Sequence, residues 1–252
     1  MVPKAISSRR GFPLEGWAIG LSLLAMLFVA WAWLFRMGAA SEIYICSVQA
    51  TVLPAAIGMW VAMMIAMMVP SALPMILTYA QVTSRLEPSS MRLGLIALFV
   101  AIYVIVWSAF GAVAGLTEWL LGQSALIRDG QLAEPRYAGA LLIIAGLYQW
   151  STVKSVCLSR CHAPLGFLLQ HYRSGYGGAI KLGVEHSAAC VGCCWVLMLL
   201  AWVGGAMNLA WMVVLTLFVA LEKLLGTRAT ILRLSALALL GAGALELMMS
   251  GL

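Results

Sequence analysis

The sequence predicts an all-α fold, a polytopic transmembrane helix bundle of about seven spans with its N-terminus in the cytoplasm. Three observations carry this reading. Of the 252 residues, 63% are hydrophobic and 10% charged, whereas a soluble domain has about a quarter charged residues. The apolar residues gather in runs near or above the roughly 20 residues that cross a bilayer. Lys and Arg then fall mostly on one side of those runs. Together these exclude a soluble enzyme, a disordered chain and a disulfide-stapled secreted scaffold. The net charge of +6 is that of cytoplasmic loops, and no nucleic-acid partner is expected.

The elements follow in order. Residues 1–15 form a basic cytoplasmic tail with Lys4, Arg9 and Arg10. Apolar runs cover residues 16–37, 51–79, 93–121, 137–152, 182–203, 209–225 and 231–249. The fourth and sixth are short for a span. The first follows a basic start, as a signal peptide does, but no small-x-small cleavage site and soluble mature domain follow it, so it reads as a span. Pro70 should kink the second run. Gly204, Gly205 and Asn208 make a turn that joins the fifth and sixth runs as an antiparallel hairpin. The longest cytoplasmic loop is 153–181, and residues 1–252 form a single integral membrane domain.

With seven spans, the cytoplasmic side holds Lys4, Arg9, Arg10, Arg85, Arg92, Lys154, Arg160, Arg173, Lys181, Lys223, Arg228 and Arg233. The outer side holds Arg36, Arg128 and Arg136, together with Glu42, Glu118, Asp129 and Glu134. Six spans or the opposite orientation spoils this positive-inside asymmetry. The C-terminus then faces outward. No internal repeat stands out.

Two helical faces carry the chemistry. In the second run, Met59, Met63 and Met67 fall within an arc of roughly 80°, and Met64, Met68 and Met75 fill the adjoining strip. Methionine packs well between helices, so packing alone accounts for this stripe as well as a thioether site for a soft metal does. Cu(I) accepts thioether and thiolate ligands where harder ions do not. In the fifth run, Cys190, Cys193 and Cys194 lie at roughly +40°, −20° and +80° from His186. One imidazole and three thiols thus share a face near mid-membrane, and Met198 continues the ridge. Gly192 allows a close approach there. Adjacent Cys193 and Cys194 are poorly placed to bond to each other. Buried packing is the plainer use of such cysteines, but three within five residues below a histidine favour a metal or redox role.

Other candidates are weaker. Cys157 and Cys161, followed by His162, form an i, i+4 pair in the 153–181 loop that can share or receive a metal, although no second pair completes a tetrahedral site. Cys46 stands alone and is assigned nothing. An acidic group at membrane depth is costly unless paired or hydrated. Glu185 is therefore a candidate proton partner or orienter of His186. For Glu222, beside Lys223, and for Glu246, interfacial snorkelling explains as much as a functional role does. No His-Glu-x-x-His, Gly-x-Ser-x-Gly or Walker glycine loop is present, so an enzyme is not the favoured reading.

Four blocks resemble a bacterial family of predicted metal-binding integral membrane proteins with a domain of unknown function. They are residues 60–71 (WVAMMIAMMVPS), 148–167 (YQWSTVKSVCLSRCHAPLGF), 178–200 (GAIKLGVEHSAACVGCCWVLMLL), and 205–212 with Glu222 and Lys223. The Cys-x-x-Cys-Cys-Trp segment is the most specific. The resemblance implies a multi-pass protein of the bacterial cytoplasmic membrane. It also implies metal ligands at Met63, Met64, Met67, Met68, Cys157, Cys161, His186, Cys190, Cys193 and Cys194. Two positions depart from the family pattern: Ser187 stands where a glycine is usual, and His162 where a basic residue is usual.

The favoured function is binding of a soft transition metal in an intramembrane Met/Cys/His site for transport or delivery. Copper(I) is the first choice and zinc the second. The expected partners are the lipid bilayer and a cytoplasmic metal carrier or membrane subunit. The alternative is a membrane thiol-redox protein passing electrons through the cysteine cluster. A third reading is an assembly subunit whose Cys and Met merely pack.

Overall fold

The computed structural model describes residues 53–225 and 229–250, with isolated positions between 21 and 36. The basic tail, most of the first expected span and Cys46 lie outside the described residues. The described chain is all-α apart from one small hairpin. Its helices are α1 (Leu53–Leu86), α2 (Ser89–Gln123), α3 (Pro135–Gln149), α4 (Thr152–His162), α5 (Pro164–His171), α6 (Gly175–Leu199), α7 (Ala201–Gly204), α8 (Leu209–Leu225) and α9 (Ala229–Ser250). Between α2 and α3, strands β1 (Ile127–Arg128) and β2 (Gln131–Leu132) pair antiparallel. Asp129 and Gly130 both have positive φ, 52° and 73°, as a tight two-residue hairpin turn requires.

Local chemistry sets the helix limits. Pro135 and Pro164 sit in the first turns of α3 and α5, where the missing N–H costs nothing. Ser151 caps α4 by accepting from the Lys154 amide at 3.1 Å. The Gly205 turn after α7 has φ +94°, a conformation glycine adopts without strain. Helix α1 runs unbroken through Pro70 and Pro74. Because Pro70 has no N–H to give, the Ala66 carbonyl accepts from the Trp31 indole at 3.3 Å instead.

Among the described residues, α1, α2, α6 with α7, and α9 are long and apolar enough to cross a membrane. A fifth span results if α3 and α4, bent by 67°, are counted as one. Exposed Ile105, Val113, Leu234, Leu237 and Leu245 turn apolar surface outward, which is compatible with a lipid-facing bundle. The expected fourth and sixth spans are not confirmed as separate crossings among the described residues. With 15 and 17 residues, α3 and α8 extend about 22 and 26 Å, below the ~30 Å hydrocarbon thickness.

The segment expected as a long loop is instead mostly helical, forming α4, α5 and the start of α6. Lys154, expected among loop cations, is fully buried. Glu118, expected in an outer segment, is buried as well. It accepts from the indoles of Trp60 at 2.6 Å and Trp202 at 2.9 Å, tying α1, α2 and α7 together.

Helices α1 and α2 approach through Gly111 and Gly115. A Cβ on Gly115 would stand 2.8 Å from Ile57 Cα, and one on Gly111 would stand 2.9 Å from Val61 Cα. Such small-residue seams let membrane helices pack backbone to backbone. Helix α2 in turn packs on α6. Gly115→Leu should therefore force α1 and α2 apart, costing about 1–3 kcal/mol as overpacking does. Gly122→Leu is the control, because nothing lies within 4 Å of its added Cβ. Thermal unfolding in detergent should show a lower midpoint for the first variant alone. Equal midpoints would mean that the close approach does not limit stability.

Candidate metal centre

The centre of the bundle holds a buried group of sulfurs. On α6, Cys190, Cys193 and Cys194 are 0–1% exposed and face inward together, as the helical arithmetic anticipates. From α1, Met68 Sδ lies 3.9 Å from Cys194 Sγ. Two sulfurs each about 2.3 Å from one ion, subtending about 110–120°, stand about 3.8–4.0 Å apart. From α4, the half-buried Cys161 lies near both Cys190 and Cys193, close enough to interact with them electrostatically. Three helices thus bring four thiols and one thioether together. Cys157, one turn earlier on α4, sits at the edge against Gly192, where a Cβ would come within 2.7 Å of its Sγ.

The thiols are engaged with their surroundings. Cys193 and Cys194 donate to the Cys190 carbonyl at 3.1 and 3.0 Å. Cys190 Sγ lies 3.1 Å from the Tyr103 hydroxyl, which donates to the Met68 carbonyl at 2.9 Å. Lys223 on α8 donates to Cys190 Sγ at 3.0 Å and to Ser71 Oγ at 2.7 Å. Among the described residues, no three His, Cys, Asp or Glu side chains already stand in the arrangement of a metal cage.

The remaining candidates divide. Met63, Met64 and Met67 are buried in the same core as the cysteines, but only Met68 of this run has a described sulfur contact with them. His186 is 3% exposed. Its ring lies 5.8 Å from Phe99, 5.9 Å from Tyr103 and 6.0 Å from Phe167, and its Nδ1 has no hydrogen-bond partner among the described residues. Glu185 reaches Lys181 at 3.7 Å. No described hydrogen bond joins Glu185 to His186, so the expected orienting contact is not made. Glu222 is not an interfacial snorkeller. It is 3% exposed and pairs with fully buried Lys154 at 2.6 Å, while accepting from Gln149 at 2.6 Å.

Sequence reasoning did not assign Tyr103, Ser71 or Lys223 to this centre. Tyr103 offered no signal, and Ser71 offered only its place at the end of the 60–71 block. Lys223 did, as a cation within an apolar run, yet it was counted with the loop charges. Consecutive helical positions point about 100° apart. Glu222 therefore faces Lys154 on α4 while Lys223 faces Ser71 and Cys190.

Residues 57–246 match the family described as PpoB2, copper chaperone. No curated protein matches the chain, and no solved structure does either.

The buried ion pair generates a stability prediction. Removing one partner strands the other charge, which costs about 3–5 kcal/mol, whereas replacing both by apolar residues is often neutral. Lys154→Met and Glu222→Leu should each lower the unfolding midpoint in detergent strongly. The double variant should recover most of the loss. If the double variant unfolds as early as the singles added together, the pair is not coupled.

Proposed function

Because the chain belongs to the PpoB2 copper chaperone family, we propose that it binds Cu(I) among its buried sulfurs, within the membrane, and passes the ion on. The observation that supports this reading is the burial of Cys190, Cys193 and Cys194 on α6 with Met68 of α1 3.9 Å from Cys194 and Cys161 of α4 nearby. Thiolate and thioether together select Cu(I) over harder ions. Cys190 and Cys194 with Met68 form the primary set. Cys193 and Cys161 are within reach of the same point, and Cys157 flanks it. Met63, Met64 and Met67 complete the soft lining on α1, and His186 backs the cluster one turn before Cys190. Zinc fits this donor set less well, because tetrahedral zinc prefers thiolate and imidazole to thioether.

On this reading, binding exchanges the hydrogen bonds of the thiols for metal bonds. Cys193 and Cys194 turn their S–H groups away from the Cys190 carbonyl, and each thiol that becomes a ligand loses its proton as the metal bond forms. The Lys223 ammonium, already beside Cys190, shares the negative charge of the resulting thiolates. A site made in this way, with a carrier or a membrane subunit as partner, suits delivery more than permanent storage.

The test is metal content by mass spectrometry of the detergent-purified protein. Wild type should carry stoichiometric copper after loading with buffered Cu(I). A Cys190/Cys193/Cys194→Ser triple variant should retain only traces. Met68→Leu should keep the stoichiometry but weaken Cu(I) binding by about tenfold, corresponding to about 1.4 kcal/mol. Equal trace copper in all three proteins would move the weight to thiol redox chemistry at the same cysteines.

A further inference from the structure

The buried thiols need a route to the surface, and a cleft meets them. It measures about 310 Å³ and is lined by Pro70, Ser71, Pro74, Cys161, His162 and Lys223 among others. Two of these residues belong to both the cleft and the sulfur cluster. Cys161 lies near Cys190 and Cys193, and Lys223 donates to Cys190. The cysteines beyond them are essentially unexposed.

We propose that this cleft, between α1, α4 and α8, is the port through which Cu(I) enters and leaves the buried site, with Cys161 and His162 as the ligands that meet it first. The inference rests on the copper reading given above and adds the path to it.

His162 is built for the part. Its Nδ1 lies 2.9 Å from the Lys223 carbonyl. A carbonyl only accepts, so Nδ1 carries the proton, and in the neutral ring Nε2 keeps the lone pair. Metal-binding histidines are oriented in this way, by a hydrogen bond from the other ring nitrogen to a carbonyl. Cys161 and His162 are consecutive at the end of α4, so a soft donor and an imidazole stand together at the wall of the cleft. The prolines contribute a wall without backbone donors, since neither Pro70 nor Pro74 has an N–H.

The transfer is a ligand exchange without redox change. Copper enters as Cu(I) and remains Cu(I). It bonds first to Cys161 and His162, and the Cys161 proton leaves to bulk solvent. The bond to the His162 nitrogen then breaks as the bond to Cys190 sulfur forms, and the Cys190 proton leaves through the cleft to bulk solvent, while Cys161 stays bonded through both stages. Lys223 keeps its proton and turns from Cys190 into the cleft. Release runs in reverse.

Ala220 lines the cleft and is none of the proposed ligands, so Ala220→Trp narrows the port and spares the site. The full chain in detergent is loaded with Cu(I) buffered by a chromogenic chelator, and both uptake rate and final stoichiometry are read. Ala220→Trp should load at least tenfold more slowly than wild type, to the same stoichiometry. His162→Ala should also load more slowly to the same stoichiometry. Methylmercury labelling followed by mass spectrometry should find Cys161 before Cys190, and Ala220→Trp should protect both.

Loading and labelling at wild-type rates in Ala220→Trp would overturn the port. Should that variant fail to fold, Leu224→Trp on the same wall replaces it. Should wild type bind no Cu(I), the copper reading fails, and the mercury labelling alone decides whether the cleft is the route to the thiols.

Discussion

The structure depends on burying two opposite charges side by side on one helix. Glu222 and Lys223 are adjacent on α8, and both are largely withdrawn from solvent. Each ion buried without a partner would cost several kcal/mol. Glu222 meets Lys154 of α4, Gln149 of α3 and, at 3.4 Å, Ser235 of α9. Lys223 meets Ser71 of α1 and Cys190 of α6. A rotation of α8 by a single residue would move both side chains about 100° from their partners. The rotation and depth of α8 are thereby set against its neighbours, and with them the placement of Cys190 relative to Cys161 and Met68.

The glycine seams do the complementary work. Gly111 and Gly115 bring α1 against α2 at backbone distance, and Gly139 and Gly243 do the same for α3 and α9. Among apolar neighbours that gain little from leaving lipid, close packing and buried polar contacts are what hold helices together. The glycines set the distances between helices, while the polar contacts set their rotations.

Much of this was legible in the sequence. Hydropathy located the long apolar helices closely but missed α4 and α5, because only a helix that faces apolar surroundings must be apolar along its length. The shared face of Cys190, Cys193 and Cys194 followed from helical angles alone, since it is a property of one helix. What was not legible is which helices meet. Helices α1 and α6, which carry the methionine and cysteine faces, each pack mainly on α2 rather than on each other, and Met68 reaches Cys194 by its long side chain. Lys154 and Glu118 look like loop charges in sequence, because a buried charge is distinguished by a partner that lies far away along the chain. For Lys154 that partner is 68 residues on. The bend between α3 and α4, which carries Cys157 and Cys161 back against α6, likewise leaves no periodic mark.

The engagement of the thiols with their own surroundings bears on what a chaperone must do. A carrier that holds copper too tightly cannot deliver it. In this bundle the prospective ligands have partners without metal: Cys193 and Cys194 on the Cys190 carbonyl, Cys190 on Lys223 and Tyr103. Each such hydrogen bond has a net worth of about 0.5–1.5 kcal/mol, more where a charge takes part. Copper bonding competes with all of them, and copper release restores them. On the copper reading, the internal hydrogen bonds lower the affinity without removing a ligand. They also spare the emptied site the cost of unpaired polar groups in an apolar interior. The same contacts that order the core would then set how readily it gives up its ion.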